Sequence, residues 1–148
     1  MEKIKADFKI ATKADVPKII ALCDECFEGK TPLEFALQSF ERTEHDPNNV
    51  YLNGWVGGKL VAHTKITIIQ TMYQPMCSYS IINHFCVAPK FRRHNIATQM
   101  MDVCIKISKQ SGCRKVSLWS RNWRTDAHGF YGNYGFENID AGFFEKKI

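Results

Sequence analysis

The sequence predicts an α/β protein of the α+β kind, with one mixed sheet flanked by helices. Three observations carry this expectation. Short runs rich in β-branched and aromatic residues are separated by Gly, Pro and Asn turn signals. Between them lie stretches whose apolar residues recur at helical spacing. Read in order, the elements run β-α-α-β-β-β-α-β-α-β-β.

Phe8-Lys9-Ile10 reads as a short strand. Thr12 to Asp15 supply polar helix starters, and Pro17 suits a first helical turn. Val16, Ile19, Ile20, Cys23, Cys26 and Phe27 then share a helical face, which Gly29 is expected to end. Pro32 to Arg42 reads as a second helix with Leu33, Ala36, Leu37 and Phe40 on one side. Asp46-Pro47-Asn48-Asn49 is a turn. Val50–Val56 and Lys59–Thr71 read as strands joined by the hairpin pair Gly57-Gly58. Tyr79–Val87 is a third long strand. Ile96, Met100, Val103 and Ile107 mark a helix closed by Gly112. Val116–Trp119 is a strand, Thr125 or Asp126 opens a helix to about Gly132, and Phe136 and Gly142–Lys147 read as closing strands.

A length of 148 residues fits one domain, and a 45% hydrophobic content is enough for a core, which argues against disorder. The net charge of +5 suits an anionic ligand, but no dense Lys/Arg stripe interleaved with aromatics points to nucleic acid. No apolar signal core or run of membrane-span length occurs, so a cytoplasmic protein with no membrane association is expected. The six cysteines then read as reduced core thiols. Cys23-Asp24-Glu25-Cys26 spells C-x-x-C, but it lies within an amphipathic helix and lacks a second ligand pair. Core packing is expected there, and no metal site.

The segment Val87-Ala88-Pro89-Lys90-Phe91-Arg92-Arg93-His94-Asn95-Ile96-Ala97 joins a strand to an amphipathic helix. It carries three cations and no carboxylate. Unpaired N–H groups and the helix dipole at such a start suit a phosphate. Asn95 is the non-glycine residue best fitted to positive φ, and Ala97 lets a ligand approach the backbone. From these residues alone, a phosphate cradle and a solvated basic turn stand level.

The segment resembles the acetyl-CoA signature of the GNAT superfamily of N-acetyltransferases, Gln/Arg-x-x-Gly-x-Gly/Ala after a strand ending Val-x-Pro. Arg92, Arg93, His94, Asn95, Ile96 and Ala97 match, with Asn95 where the family usually has Gly. A second stretch is similar to the family's Ala-x-x-Phe/Leu-Tyr-x-x-x-Gly-Phe, through Ala127, Phe130, Tyr131, Gly135 and Phe136. The two motifs occur in the family's order, and the resemblance covers nearly the whole chain.

The resemblance implies a single domain over residues 1–148 with a mostly antiparallel sheet and acetyl-CoA as cosubstrate. It implies that backbone N–H groups from Arg93 to Thr98 hold the pyrophosphate, and that strand backbone around Phe85, Cys86 and Val87 pairs with the pantetheine arm. Lys90 or Arg92 is a candidate for the 3′-phosphate. The acceptor is expected to be a primary amine of a small molecule, which attacks the thioester directly. Tyr131 is the candidate general acid at the departing thiolate, and related enzymes often form homodimers. Many relatives carry a titratable residue where Asn83 stands, so Asn83 is expected to hold a water that passes the proton to bulk solvent. Strict alternation would place Asn83, Phe85 and Val87 on one face and Ile82, His84 and Cys86 on the other. A bulge would bring His84 into contention as the base. Trp55, Trp119, Trp123, Phe35, Phe40 and Tyr73 are candidates for the acceptor pocket. A peptide acceptor and a silent acyl-CoA sensor are the competing readings.

Overall fold

The computed structural model describes residues 2–148. Strands β1 (Asp7–Ile10), β2 (Asn49–Val56), β3 (Lys59–Ile69), β4 (Tyr79–Val87) and β5 (Lys115–Ser117) form one sheet in that order. The first four pair antiparallel and β5 joins β4 in parallel, so the sheet is mixed and mostly antiparallel, as expected. Gly57 and Gly58 turn the β2–β3 hairpin with φ of 55° and 76°, the double positive φ that a tight two-residue turn demands.

Helices α1 (Val16–Phe27), α2 (Leu33–Thr43) and α3 (Ile96–Gln110) accompany the sheet. Ile96, Met100, Cys104 and Ser108 recur every four residues along α3 and are all buried. Each buried apolar side chain on such a stripe contributes roughly 1.5–3 kcal/mol. The one hydroxyl in that stripe is satisfied, because Ser108 and the buried Ser80 of β4 share a 2.7 Å hydrogen bond. Helix α1 buries Val16, Ile19 and Leu22 on the opposite face of the sheet, where α2 joins it.

The left-handed residue that ends α1 is Glu28, with φ 56°, rather than Gly29. Asp24 supplies the reason. Its carboxylate accepts from Thr31 N–H at 3.0 Å and Thr31 Oγ1 at 2.8 Å, and a Cβ on Gly29 would sit 2.9 Å from Asp24 Oδ1. The glycine is therefore needed for close approach, not for its φ.

The chain divides into two compact units, the first ending at Leu118 and the second spanning Trp119–Ile148. The second contains helix α4 (Thr125–Tyr134) and no strand. The closing strands expected at Phe136 and Gly142–Lys147 do not form. Phe143 and Phe144 are adjacent and both exposed, and three charged residues follow, so no alternating face exists to bury. Within this unit Tyr131 packs edge-on between Phe130 and Phe136, at 5.5 and 5.8 Å between ring centroids. Among the described residues, no helix is long and apolar enough to cross a membrane.

Candidate active site

The site begins with an irregularity in β4. Opposite β3, Lys65 pairs with Asn83 and His63 with Cys86, so one residue of β3 faces two of β4. The bulge falls at His84, whose φ is 53°. Cross-strand partners share a face, so Asn83 and Cys86 both lie on the face of Lys65 and His63. Strict alternation is thereby overturned: Cys86 joins Asn83 rather than opposing it. The contacts agree, since Ser80 reaches α3 whereas Cys86 meets Cys23 and Cys26 of α1.

The bulge also places His84 within electrostatic reach of Lys65 and His63. Desolvation, and then the Lys65 ammonium, hold its imidazole below the usual histidine range. His84 is therefore neutral at pH 7 and able to accept a proton.

Behind it lies a buried polar chain that motif reading missed. His63 is 2% exposed, and its Nδ1 is 2.8 Å from Asn53 Oδ1. Asn53 Nδ2 in turn donates to Asp15 Oδ2 at 3.3 Å. Burial, with His84 adding to it, pushes the His63 imidazole down to about 3. The available signal was a histidine directly after the apolar run Leu60-Val61-Ala62, in the middle of an expected strand.

Strand β5 accompanies β4 only from Tyr79 to Ile81, so strand pairing on that edge ends a third of the way along β4. The remaining two thirds, through Phe85, Cys86 and Val87, leads into a 3-10 turn at Pro89–Phe91 and then the helix start. Two non-glycine residues there are left-handed, Arg93 at φ 64° and Asn95 at φ 69°. Asn95 thus adopts the conformation that its side chain tolerates, as N-cap of α3. Left-handed residues in a turn aim successive N–H groups into one concavity, which suits an anion. The first turn of α3, with Ile96, Ala97 and Thr98, adds its dipole.

Side chains of this loop serve other ends. His94 Nδ1 lies 2.6 Å from Glu2 O, and Gln99 Nε2 donates to Ile4 O at 2.7 Å, so the N-terminal segment is tied across the helix start. Arg92 Nε donates to Val87 O at 3.0 Å. Lys90 lines a cleft of about 460 Å³ together with Lys18, Glu25, Lys59 and Phe91.

All six cysteines are free thiols, as expected. Cys86 and Cys104 are buried, but Cys23 and Cys26 are only half-buried, so the C-x-x-C pair is not core. Of the aromatic candidates for an acceptor pocket, Phe40 is buried against Tyr51 at 5.1 Å and is core. Trp55 lies under Lys18 Nζ. Phe35, Tyr73, Trp119 and Trp123 are exposed. Among the described residues, no group of three or more His, Cys, Asp or Glu could hold a metal ion.

A family model described as the acetyltransferase (GNAT) family matches residues 16–136. No curated protein matches in sequence. Solved structures share the fold at low identity. A transcriptional regulator from Bacillus halodurans C-125 is 18% identical, with a TM-score of 0.87 over 97% of this chain and 100% of its own. The aminoglycoside antibiotic 6'-N-acetyltransferase AAC(6')-IG from Acinetobacter haemolyticus is 17% identical, with a TM-score of 0.80 over 96% and 99%. AAC(6')-Iy, solved with the bisubstrate analogue CoA-S-monomethyl-acetylneamine, is 17% identical, with a TM-score of 0.84 over 98% and 99%.

Proposed function

The chain belongs to the acetyltransferase (GNAT) family, and from that premise we propose that it moves an acetyl group from acetyl-CoA to a primary amine of a small molecule, as one catalytic domain. The observation that carries this reading is the β4 edge, unpaired beyond Ile81, running straight into a left-handed loop at a helix start. An extended amide-bearing arm can lie along the first, and a pyrophosphate can sit in the second. That is the outline of CoA. The small-molecule acceptor is supported by the named activity of the aminoglycoside N-acetyltransferase of like fold.

The proposed groups divide the work. The N–H groups from Arg93 to Thr98 hold the pyrophosphate, with Arg92 at the edge of the cradle. Backbone around Phe85, Cys86 and Val87 orients the pantetheine and offers a donor to the thioester oxygen as charge develops. Holding amine and thioester in register supplies much of the acceleration. The attacking amine must shed a proton. Asn83 holds a water that takes it, and neutral His84, on the same bulge, is the acceptor. Tyr131 protonates the departing thiolate.

The function is tested by incubating the protein with acetyl-CoA and a panel of amines while following thiol release. Amino sugars, aminoglycosides, aminoalkylphosphonates, polyamines and Lys peptides form the panel. Release that depends on a small amine is the expected result. Release only with peptides would move the acceptor class, and failure of acetyl-CoA to bind would remove the reading.

The proton route predicts its own pH signature. Because His84 titrates below the usual histidine range, kcat/KM should fall on an acidic limb centred below pH ~6.5. His84→Ala should erase that limb. Lys65→Gln, which removes a nearby positive charge, should move it upward, and Asn83→Ala should lower kcat without moving it. A limb unchanged in His84→Ala would send the proton from the Asn83 water to bulk solvent instead.

A further inference from the structure

The three thiols gathered by the bulge have no part in the acyl transfer just described. Cys23 and Cys26 stand three residues apart on α1 and so share a face. Cys86 lies on β4 opposite His63, to whose carbonyl it donates at 3.7 Å, and the bulge turns its thiol toward α1, where it interacts with both. Cys26 Sγ also lies 3.6 Å from Val87 O, and the Arg92 guanidinium stands beside it. Without the bulge, Cys86 would face α3 and this meeting could not occur.

From this cluster we infer that Cys26 is a thiol–disulfide exchange site for low-molecular-weight disulfides, with Cys86 as the resolving thiol. Cys26 is half-buried, so a small disulfide can reach it, whereas Cys86 is 5% exposed and cannot be attacked first. The neighbouring Cys86 thiol, and then Arg92, whose Nε shares the Val87 O acceptor with Cys26, bring the Cys26 thiol down to about 7, against the opposing effect of burial. A large part of Cys26 is therefore thiolate at neutral pH, and the thiolate is the nucleophile. Cys86 is pushed far above the usual thiol range, first by its interaction with the Cys23 and Cys26 thiols and then by burial, and its own S–H donates to His63 O at 3.7 Å. Once Cys26 is bound in a disulfide it is no longer an anion, that cause weakens, and Cys86 gives up its proton more readily.

The steps balance. The Cys26 thiolate attacks one sulfur of the small disulfide, forming a mixed disulfide and expelling one thiolate. Cys86, deprotonated, attacks Cys26 Sγ and expels the second. Two cysteine thiols are oxidised and one disulfide is reduced to two thiols. The product joins α1 covalently to β4.

The test treats the reduced full-length protein with oxidised glutathione at neutral pH, quenches in acid, and maps peptides by mass spectrometry over time. A glutathionyl group should appear first on Cys26 and give way to a linked Cys26–Cys86 pair. Cys26 should react roughly tenfold faster than Cys113, whose thiol is raised by burial; the gain in thiolate is offset partly by lower intrinsic nucleophilicity. Cys86→Ala should stall at the mixed disulfide, and Arg92→Gln should slow the first step roughly threefold. Mapping of the wild-type protein decides the matter even if Cys86→Ala folds poorly. A Cys23–Cys26 bridge would overturn the assignment of Cys86, and modification of Cys26 no faster than Cys113 would overturn the site.

Discussion

Replacing Tyr131 by Phe should lower kcat by about 10²- to 10⁴-fold, the usual worth of a positioned general acid, while leaving the KM for acetyl-CoA nearly unchanged. The substitution is conservative where packing is concerned. The ring would keep its edge-on contacts with Phe130 and Phe136, so helix α4 should stay intact. Only the hydroxyl is lost, and with it the proton proposed for the departing thiolate. A phenol with an ordinary pKa of about 10 is well matched to an alkyl thiol, so transfer needs no perturbation of the group. The wild-type kcat should therefore decline on an alkaline limb that Tyr131→Phe lacks. A variant within threefold of wild type that keeps its alkaline limb would take the acid role away from Tyr131.

Lowering the pH from 7 to 5 should cost the folded protein about 2 kcal/mol through His63 alone. The sign follows from where the proton prefers to bind. In the unfolded chain an ordinary imidazole titrates near 6.5, whereas buried His63 is held down to about 3. Between those values the unfolded state binds more protons, so stability is fully present above about 6.5 and drains away as pH falls toward 3. His84, also lowered, acts in the same direction. Denaturant melts of wild type and His63→Gln at pH 7, 6 and 5 separate the two. The variant should start less stable by about 2 kcal/mol, because Asn53 loses its buried partner, but should show a much shallower slope. Parallel slopes in the two proteins would mean that His63 is not the titrating group.

Elements whose signal is local were legible. The Gly57-Gly58 turn, the position of helix α3 and the left-handed Asn95 each follow from residues within a few positions of one another, although of the face expected on α3 only Ile96 and Met100 are buried, Val103 and Ile107 being half-buried beside the buried Cys104 and Ser108. The bulge at His84 was not, because no glycine marks it and its cause lies in register with β3. That single extra residue moved Cys86 to the face of α1 and His84 toward Lys65, so both the thiol cluster and the candidate proton acceptor depended on it. The Asp15–Asn53–His63 chain was hidden for a related reason. Its members are separated by 38 and 10 residues and meet only when β2 and β3 are aligned beneath the start of α1. The expected C-terminal strands do not form because Phe143 and Phe144 are adjacent and both exposed, which leaves no alternating face to cover.

The ties between the N-terminal segment and the start of α3 also set an order of events during synthesis. Glu2, Ile4 and Ala6 find their partners in His94 and Gln99, 92 to 95 residues later in the chain. At about 5–20 residues per second, a ribosome leaves those first residues unpartnered for roughly 5–20 s. The hairpin of β2 and β3 can close on its own turn in that time, since its contacts are near in sequence. The loop at α3 must wait for both ends of its tether. The left-handed turn proposed to grip the pyrophosphate is thus among the last parts of the first unit to consolidate as the chain is made.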